Sequence, residues 1–117
     1  MKKEFTDGSK VHFHDNGQVA VKCFIKNGKL EGPYEEFYDN GKFQSVGSYK
    51  NGKLDGPNIS FHRNGQTAIK GTMLNGHFTG LVEEFHDNGQ LKFKGTIKKG
   101  KITGPSEHYN EDGVAII

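Results

Sequence analysis

Tryptophan is absent from the 117 residues, cysteine occurs once, methionine twice and proline three times. The single cysteine, Cys23, excludes an internal disulfide. No window reaches the roughly 20 apolar residues that a membrane-spanning helix needs, and the opening MKKEFTDGSK lacks the apolar stretch of a secretory leader. A cytoplasmic, reducing setting is the expectation that follows. There is also no long run of one charge. Sixteen Lys and Arg are interspersed with fourteen Asp and Glu, a formal net charge of +2. That balance argues against nucleic acid or a membrane as the main partner. Hydrophobic residues make up 32% and mean hydropathy is −0.76, so any core is thin and rich in the nine phenylalanines.

Glycine is what the chain has in excess: seventeen residues, about twice the ordinary usage of ~7%. Their placement is periodic. The string F-(H/Y)-(D/R)-N-G occurs at Phe13–Gly17, Phe37–Gly41, Phe61–Gly65 and Phe85–Gly89, a spacing of 24 residues without slippage, and Tyr109–Gly113 continues the phase. A second string, KNGKLEG from Lys26, returns as KNGKLDG from Lys50, LNGHFTG from Leu74 and KKGKITG from Lys98, with KKEFTDG from Lys2 in the same phase. Such a period marks a repeat architecture. The chain divides into an N-terminal half-unit 1–12, units 13–36, 37–60, 61–84 and 85–108, and a C-terminal cap 109–117, together one repeat domain.

Each unit holds two turn signals, D-N-G and K-N-G, and Asn-Gly is the preferred pair of a type I′ hairpin. Two turns per unit leave two short strands. In the first, apolar residues alternate (Val19, Val21, Ile25; Leu91, Phe93, Ile97), the period of a half-buried strand. The second carries an apolar column (Leu30, Leu54, Phe78, Ile102) and an aromatic column (Phe37, Phe61, Phe85, Tyr109) seven residues later. Seven is odd, so strict alternation separates the columns, and a bulge at Gly32-Pro33, Gly56-Pro57 and Gly104-Pro105 is expected to bring them to one face. The fold class is all-β: an elongated, single-layer antiparallel β-meander of about ten strands built from 24-residue hairpin repeats. Val114–Ile117 either caps the last unit or pairs with another chain.

The segment Gly47–Gly56, reading GSYKNGKLDG and alternating with FYDNG, resembles the MORN-repeat variant family, close to the bacterial YwqK-type antitoxin proteins. Where the better-known eukaryotic unit continues with G-x-G, this chain reads Gly-Pro in three units and Gly80-Leu81 in another, which fits the variant class. The resemblance implies an extended sheet of hairpins that binds proteins, often as antitoxin or immunity factor, and it implies no catalytic residues.

The residues by themselves offer no reaction chemistry. His14, His62 and His86 share one column with Tyr38 and Asn110. Consecutive members lie two strands or roughly 9.6 Å apart, too far to share a zinc without leaning together, and a second His pair to match His12 and His14 is missing. Glu35-Glu36 and Glu83-Glu84 are strand neighbours that point to opposite faces, which makes no acid–base dyad. Cys23 stands where other units have Gly47, Gly71 and Gly95, the place of a small packed residue. The glycines follow turns and match no phosphate-binding motif. Lysines alternating with aromatics at Leu91–Lys94 are what a strand with one wet face requires, although stacking on nucleic acid would use the same pattern. The expectation is therefore no catalytic residue, no cofactor and no metal. The protein-binding candidates are the exposed aromatics and histidines Tyr34, Tyr38, His62 and His86, residue types enriched in recognition surfaces. The expected partner is a protein, a toxin or effector enzyme. The alternative is a scaffold that forms a homodimer through its edge strands.

Overall fold

The structure, a computed structural model, describes residues 7–116. Residues 1–6 and 117, with part of the half-unit 1–12 and the end of the cap, lie outside the described residues. The strands are β1 (Gly8–Phe13), β2 (Val19–Lys26), β3 (Lys29–Leu30), β4 (Gly32–Phe37), β5 (Phe43–Lys50) and β6 (Lys53–Leu54), followed by β7 (Gly56–Phe61), β8 (Thr67–Leu74), β9 (His77–Phe85), β10 (Leu91–Lys98) and β11 (Lys101–His108). All join one antiparallel sheet in the order β1-β2-β4-β5-β7-β8-β9-β10-β11, with β3 beside β2 and β6 beside β5. Since β3 and β4, and likewise β6 and β7, are halves of one interrupted strand, the sheet has nine strand positions. It measures 61 × 35 × 14 Å, and the short dimension is that of a single twisted layer.

The two turn types differ. At the K-N-G turns both central residues have positive φ (Asn27 52°, Gly28 79°; Asn51 52°, Gly52 83°), the type I′ hairpin expected from the sequence. The D-N-G turns are not type I′. Gly17 has φ 88° but Asn16 is not in the left-handed region, and His14 O accepts from Gly17 N at 2.9 Å while His14 N donates to Gln18 O at 2.8 Å. That is a type I turn closed by a left-handed glycine. Asn16 serves another purpose: its Oδ1 accepts from Gln18 N at 2.9 Å, and its amide donates to Asp39 O of the next repeat at 2.7 Å.

The bulges also correct the sequence reading. Pairing breaks between Leu30 and Gly32, where Ile25 faces Leu30 but Lys22 faces Glu35. Two extra residues enter one strand, an even number, so the alternation of faces is preserved. Leu30 and Phe37 therefore stay on opposite faces. Phe78 lies against Val82 beneath Gly71, whereas Phe37 lies under Lys22 Nζ, 6.0 Å from the ring centre. The proline is dispensable to the bulge, because β9 carries Gly80-Leu81 there and still shifts register between Lys70 and Thr72. What recurs is a glycine with positive φ (Gly32 86°, Gly56 101°, Gly80 79°, Gly104 74°). Gly32→Ala is accordingly expected to cost about 1–2 kcal/mol, although a Cβ there meets nothing within 4 Å. Pro33→Leu should cost less than about 1 kcal/mol. Urea unfolding followed by circular dichroism measures both, and equal costs would sink this account of the bulge.

Burial is one-sided. The buried apolar side chains Cys23, Tyr34, Met73 and Val82 all project to one face, the inner face. Across it runs a row in which Tyr34 faces Gly47, Asn58 faces Gly71 and Val82 faces Gly95. Neighbouring side chains fill the space over each glycine, Tyr34 and Asn58 at Gly47, Phe78 and Val82 at Gly71, and Phe93 and Ser106 at Gly95, the device by which a single layer covers its own backbone. A Cβ on Gly71 would stand 3.1 Å from the Phe78 ring and 3.2 Å from Val82 Cγ2.

Candidate functional site

Each F-(H/Y)-(D/R)-N-G string locks its repeat to the next. His14 Nε2 pairs with Phe37 O at 2.8 Å, Tyr38 Oη donates to Phe61 O at 2.6 Å, His62 Nε2 pairs with Phe85 O at 2.8 Å and His86 Nε2 with Tyr109 O at 2.9 Å. The asparagines form a parallel ladder, with Asn40 donating to Arg63 O, Asn64 to Asp87 O and Asn88 to Glu111 O. At the opposite rim, Gly52 N donates to Leu30 O and Gly76 N to Leu54 O, while Asp7 and Glu31 carboxylates accept from Asn27 N and Asn51 N. Both rims are thus stacks of turns held by bonds between repeats, which is how a quasi-one-dimensional array gains its stability.

The four residues named from the sequence fall into two groups. Tyr34 is not exposed. It is 6% accessible, its ring lies 5.0 Å from that of Tyr49, and its hydroxyl pairs with Ser45 Oγ and accepts from Asn58 Nδ2. Its aromatic ring and alternating phase looked identical to those of a surface residue, and only the curl over Gly47 removes it from solvent. Tyr38, His62 and His86 are half-buried at the D-N-G rim, each committed to a carbonyl of the next repeat. Arg63 lies over the Tyr38 ring, 5.0 Å from its centre, and pairs with Asp39, whose carboxyl it holds below the usual carboxylate range.

Among the described residues, titratable groups do not converge elsewhere. Burial chiefly, then the neighbouring Tyr34, pushes the Tyr49 phenol up, and the bond to Glu107 raises that of Tyr109. Cys23 is buried on the inner face. Glu35 and Glu36 occupy opposite faces, and so do Glu83 and Glu84. Among the described residues no three His, Cys, Asp or Glu gather as metal ligands. A shallow depression between successive K-N-G turns is lined by Lys26, Asn27, Lys29, Glu31 and Asn51 and is open to solvent.

Two surfaces stand out that residue-by-residue reading missed. The outer face carries a ladder of directly paired residues running the width of the sheet: Val11, Lys22, Glu35, Val46, Ile59, Lys70, Glu83, Lys94 and Glu107. From Lys22 onward lysine and glutamate alternate except at the centre, where Val46 and Ile59 replace one whole pair. Exposed large apolar residues gather on this face: Val11, Phe13, Phe24, Phe43, Leu74 and Leu81 are 40–63% accessible. Phe37, Phe43 and Phe61 form a run beside the neutral pair, with ring centres 4.9 and 6.0 Å apart. The signal was in the sequence, since columns 22/46/70/94 and 35/59/83/107 break together, but recognising it requires the register. The second surface is β11, exposed at every residue and paired on one side along its length. Beyond it, among the described residues, the bridge between Tyr109 and Ala115 and the bond from Ile116 N to His108 O begin a further strand.

No curated protein matches the chain. Among solved structures it is similar to a chain of the Glycosylation Associate Protein (Gap123) complex from Streptococcus agalactiae, at 14% identity and a TM-score of 0.46. That similarity covers 95% of this chain but 20% of the other, so the chain spans about a fifth of that protein's length. The family model described as MORN repeat variant matches residues 6–29, 30–51 and 78–99, more than half of the sequence. Repeats of this kind are generally non-catalytic and commonly bind proteins. With its 24-residue hairpin units joined in one open antiparallel sheet, the chain belongs to the MORN repeat variant family.

Proposed function

We propose that the chain is a non-enzymatic protein-binding module acting as an antitoxin- or immunity-type inhibitor, which occludes a toxin or nuclease effector in the cytoplasm. A phage-encoded inhibitor falls within the same reading. The observation that supports it is the edge strand β11, eight residues long and exposed throughout. Only another peptide chain extends such a ladder, which selects a protein over a nucleic acid or a lipid. The repeat also defines what fits there. The column of Ser106 faces glycine on the following strand (Tyr34 to Gly47, Asn58 to Gly71, Val82 to Gly95), and the column of Glu107 faces Val46, Lys70 or Lys94. A strand with a small residue beside a lysine or valine, running antiparallel, completes the pattern.

The scaffold reading, self-association through the edges, fits the register less well. β1 and β11 share the Gly-to-aromatic phase, and every long strand of that type pairs with the other type in the interior. End-to-end joining would set like against like.

The test is affinity capture from the source cell followed by activity and hydrogen-exchange measurements on the purified complex. A stoichiometric protein whose activity falls as the chain saturates it, with new protection of the Lys101–Glu107 amides, is the expected result. Capture of nucleic acid or lipid, or a complex that protects other amides and leaves activity intact, would overturn the proposal.

A further inference from the structure

We infer that the outer face is a homodimer interface, two copies packed face to face about a two-fold axis that runs parallel to the strands between Val46 and Ile59. The ladder supplies the argument. Counting outward from that axis, one side reads Val46, Glu35, Lys22, Val11 and the other Ile59, Lys70, Glu83, Lys94. The two-fold sets each side of one copy on the other side of its partner. Val46 then meets Ile59, Glu35 meets Lys70, and Lys22 meets Glu83. Around an apolar centre these charges all find their opposites, and Val11 meets Lys94 only at the margin. An apolar core within a complementary charged rim is the anatomy of a stable interface.

The flanking rows agree. On the D-N-G side, cross-strand pairs Phe37–Phe43 and Phe61–Thr67 set Phe43 on the partner's Phe61, and Val19 falls on the partner's Phe85. On the other side Phe24, 45% accessible, meets Leu81, 51% accessible. Two exposed side chains that have no role within one copy thereby cover each other.

Other axes fail. A two-fold in the sheet plane but perpendicular to the strands lays each ladder residue on its own copy, Lys22 on Lys22. An axis along the Val46 strand sets Lys22 on Lys70. An axis one step over, between Ile59 and Lys70, sets an apolar residue on each of two charges. Twisted sheets stack with strands within about 30° of each other, which this axis allows. A standard interface needs about 800 Å² per partner, less than half of the 61 × 35 Å outline of the sheet. Eight of the nine strand positions are matched across the axis. The ninth, β11, overhangs, and from Lys101 to Glu107 its outer edge is unpaired among the described residues, so dimerisation and partner binding use different surfaces and are tested separately.

The repeat provides a clean test. Lysine occupies the Val46 column in the other three units, and glutamate the Ile59 column. Val46→Lys and Ile59→Glu therefore introduce residue types the fold already accepts, yet each places two unpaired charges at the centre of the dimer. Sedimentation velocity on the wild-type chain should show a dimer. Each single variant should lose roughly a hundredfold in self-affinity while keeping the wild-type far-ultraviolet circular dichroism spectrum, the sign that the monomer still folds. Mixing the two variants should restore dimers. The axis then sets the lysine introduced in one chain on the glutamate introduced in the other, and leaves the unchanged Ile59 and Val46 facing each other. A monomeric wild type, a variant that stays dimeric, or a mixture no tighter than either variant alone would overturn the inference.

Discussion

Tyr34→Ala is expected to cost about 3–5 kcal/mol of folding free energy, a large share of the roughly 5–15 kcal/mol that holds a domain together. The ring fills the inner-face space between Gly47 and Tyr49, and its hydroxyl joins Ser45 to Asn58. Truncation removes the largest buried apolar group of the inner face and strands two polar partners. Tyr34→Phe keeps the ring and loses only the hydroxyl, a cost of about 1 kcal/mol. Because each repeat leans on its neighbours, the loss should spread to the adjacent hairpins and broaden the unfolding transition. Urea unfolding monitored by circular dichroism gives both numbers. An alanine variant that unfolds like wild type but no longer binds its partner would return Tyr34 to the role the sequence suggested.

Gly71→Val should be the next most damaging change, at about 1–3 kcal/mol. The position has ordinary strand geometry, so the penalty is steric: Phe78 and Val82 occupy the place of the new side chain, at 3.1 and 3.2 Å from its Cβ. If that is the cause, Val82→Ala in the same chain should recover part of the loss, a coupling that a double-mutant cycle measures. Costs that simply add would show that valine disturbs the strand by some other route. Cys23, the natural occupant of this column in the first unit, shows that a compact side chain is accepted where Leu30 and Tyr34 occupy the columns of Phe78 and Val82.

Much of the architecture was legible because its causes are local. A fixed spacing of turn signals gives strands of fixed length, and alternating apolar residues within them give a half-buried sheet. Val19 and Leu91 leave the alternation, because the register slips by one residue beside each D-N-G turn and sets them on the outer face. The type I′ geometry expected of both Asn-Gly turns holds at the K-N-G turns. Asn16 behaved otherwise because its amide is claimed by Asp39 O, 23 residues away in the next repeat. The same distance hides the role of the histidine column: His62 reads as a free surface group until Phe85 O is brought beside it. Gly-Pro was correctly a bulge, but whether it moves a column to the other face depends on how many residues it inserts, and that number is set by the partner strand.

The amino-acid sequence by itself determined the repeat length, the strands, the positions of the turns and the single-layer class, since each is decided by a few neighbouring residues. Tertiary structure decided which face is inner, which aromatics are buried and where the charged ladder breaks. Those are properties of rows that cross the strands, and a row exists only once the register has placed residues 11 to 13 positions apart in the chain side by side.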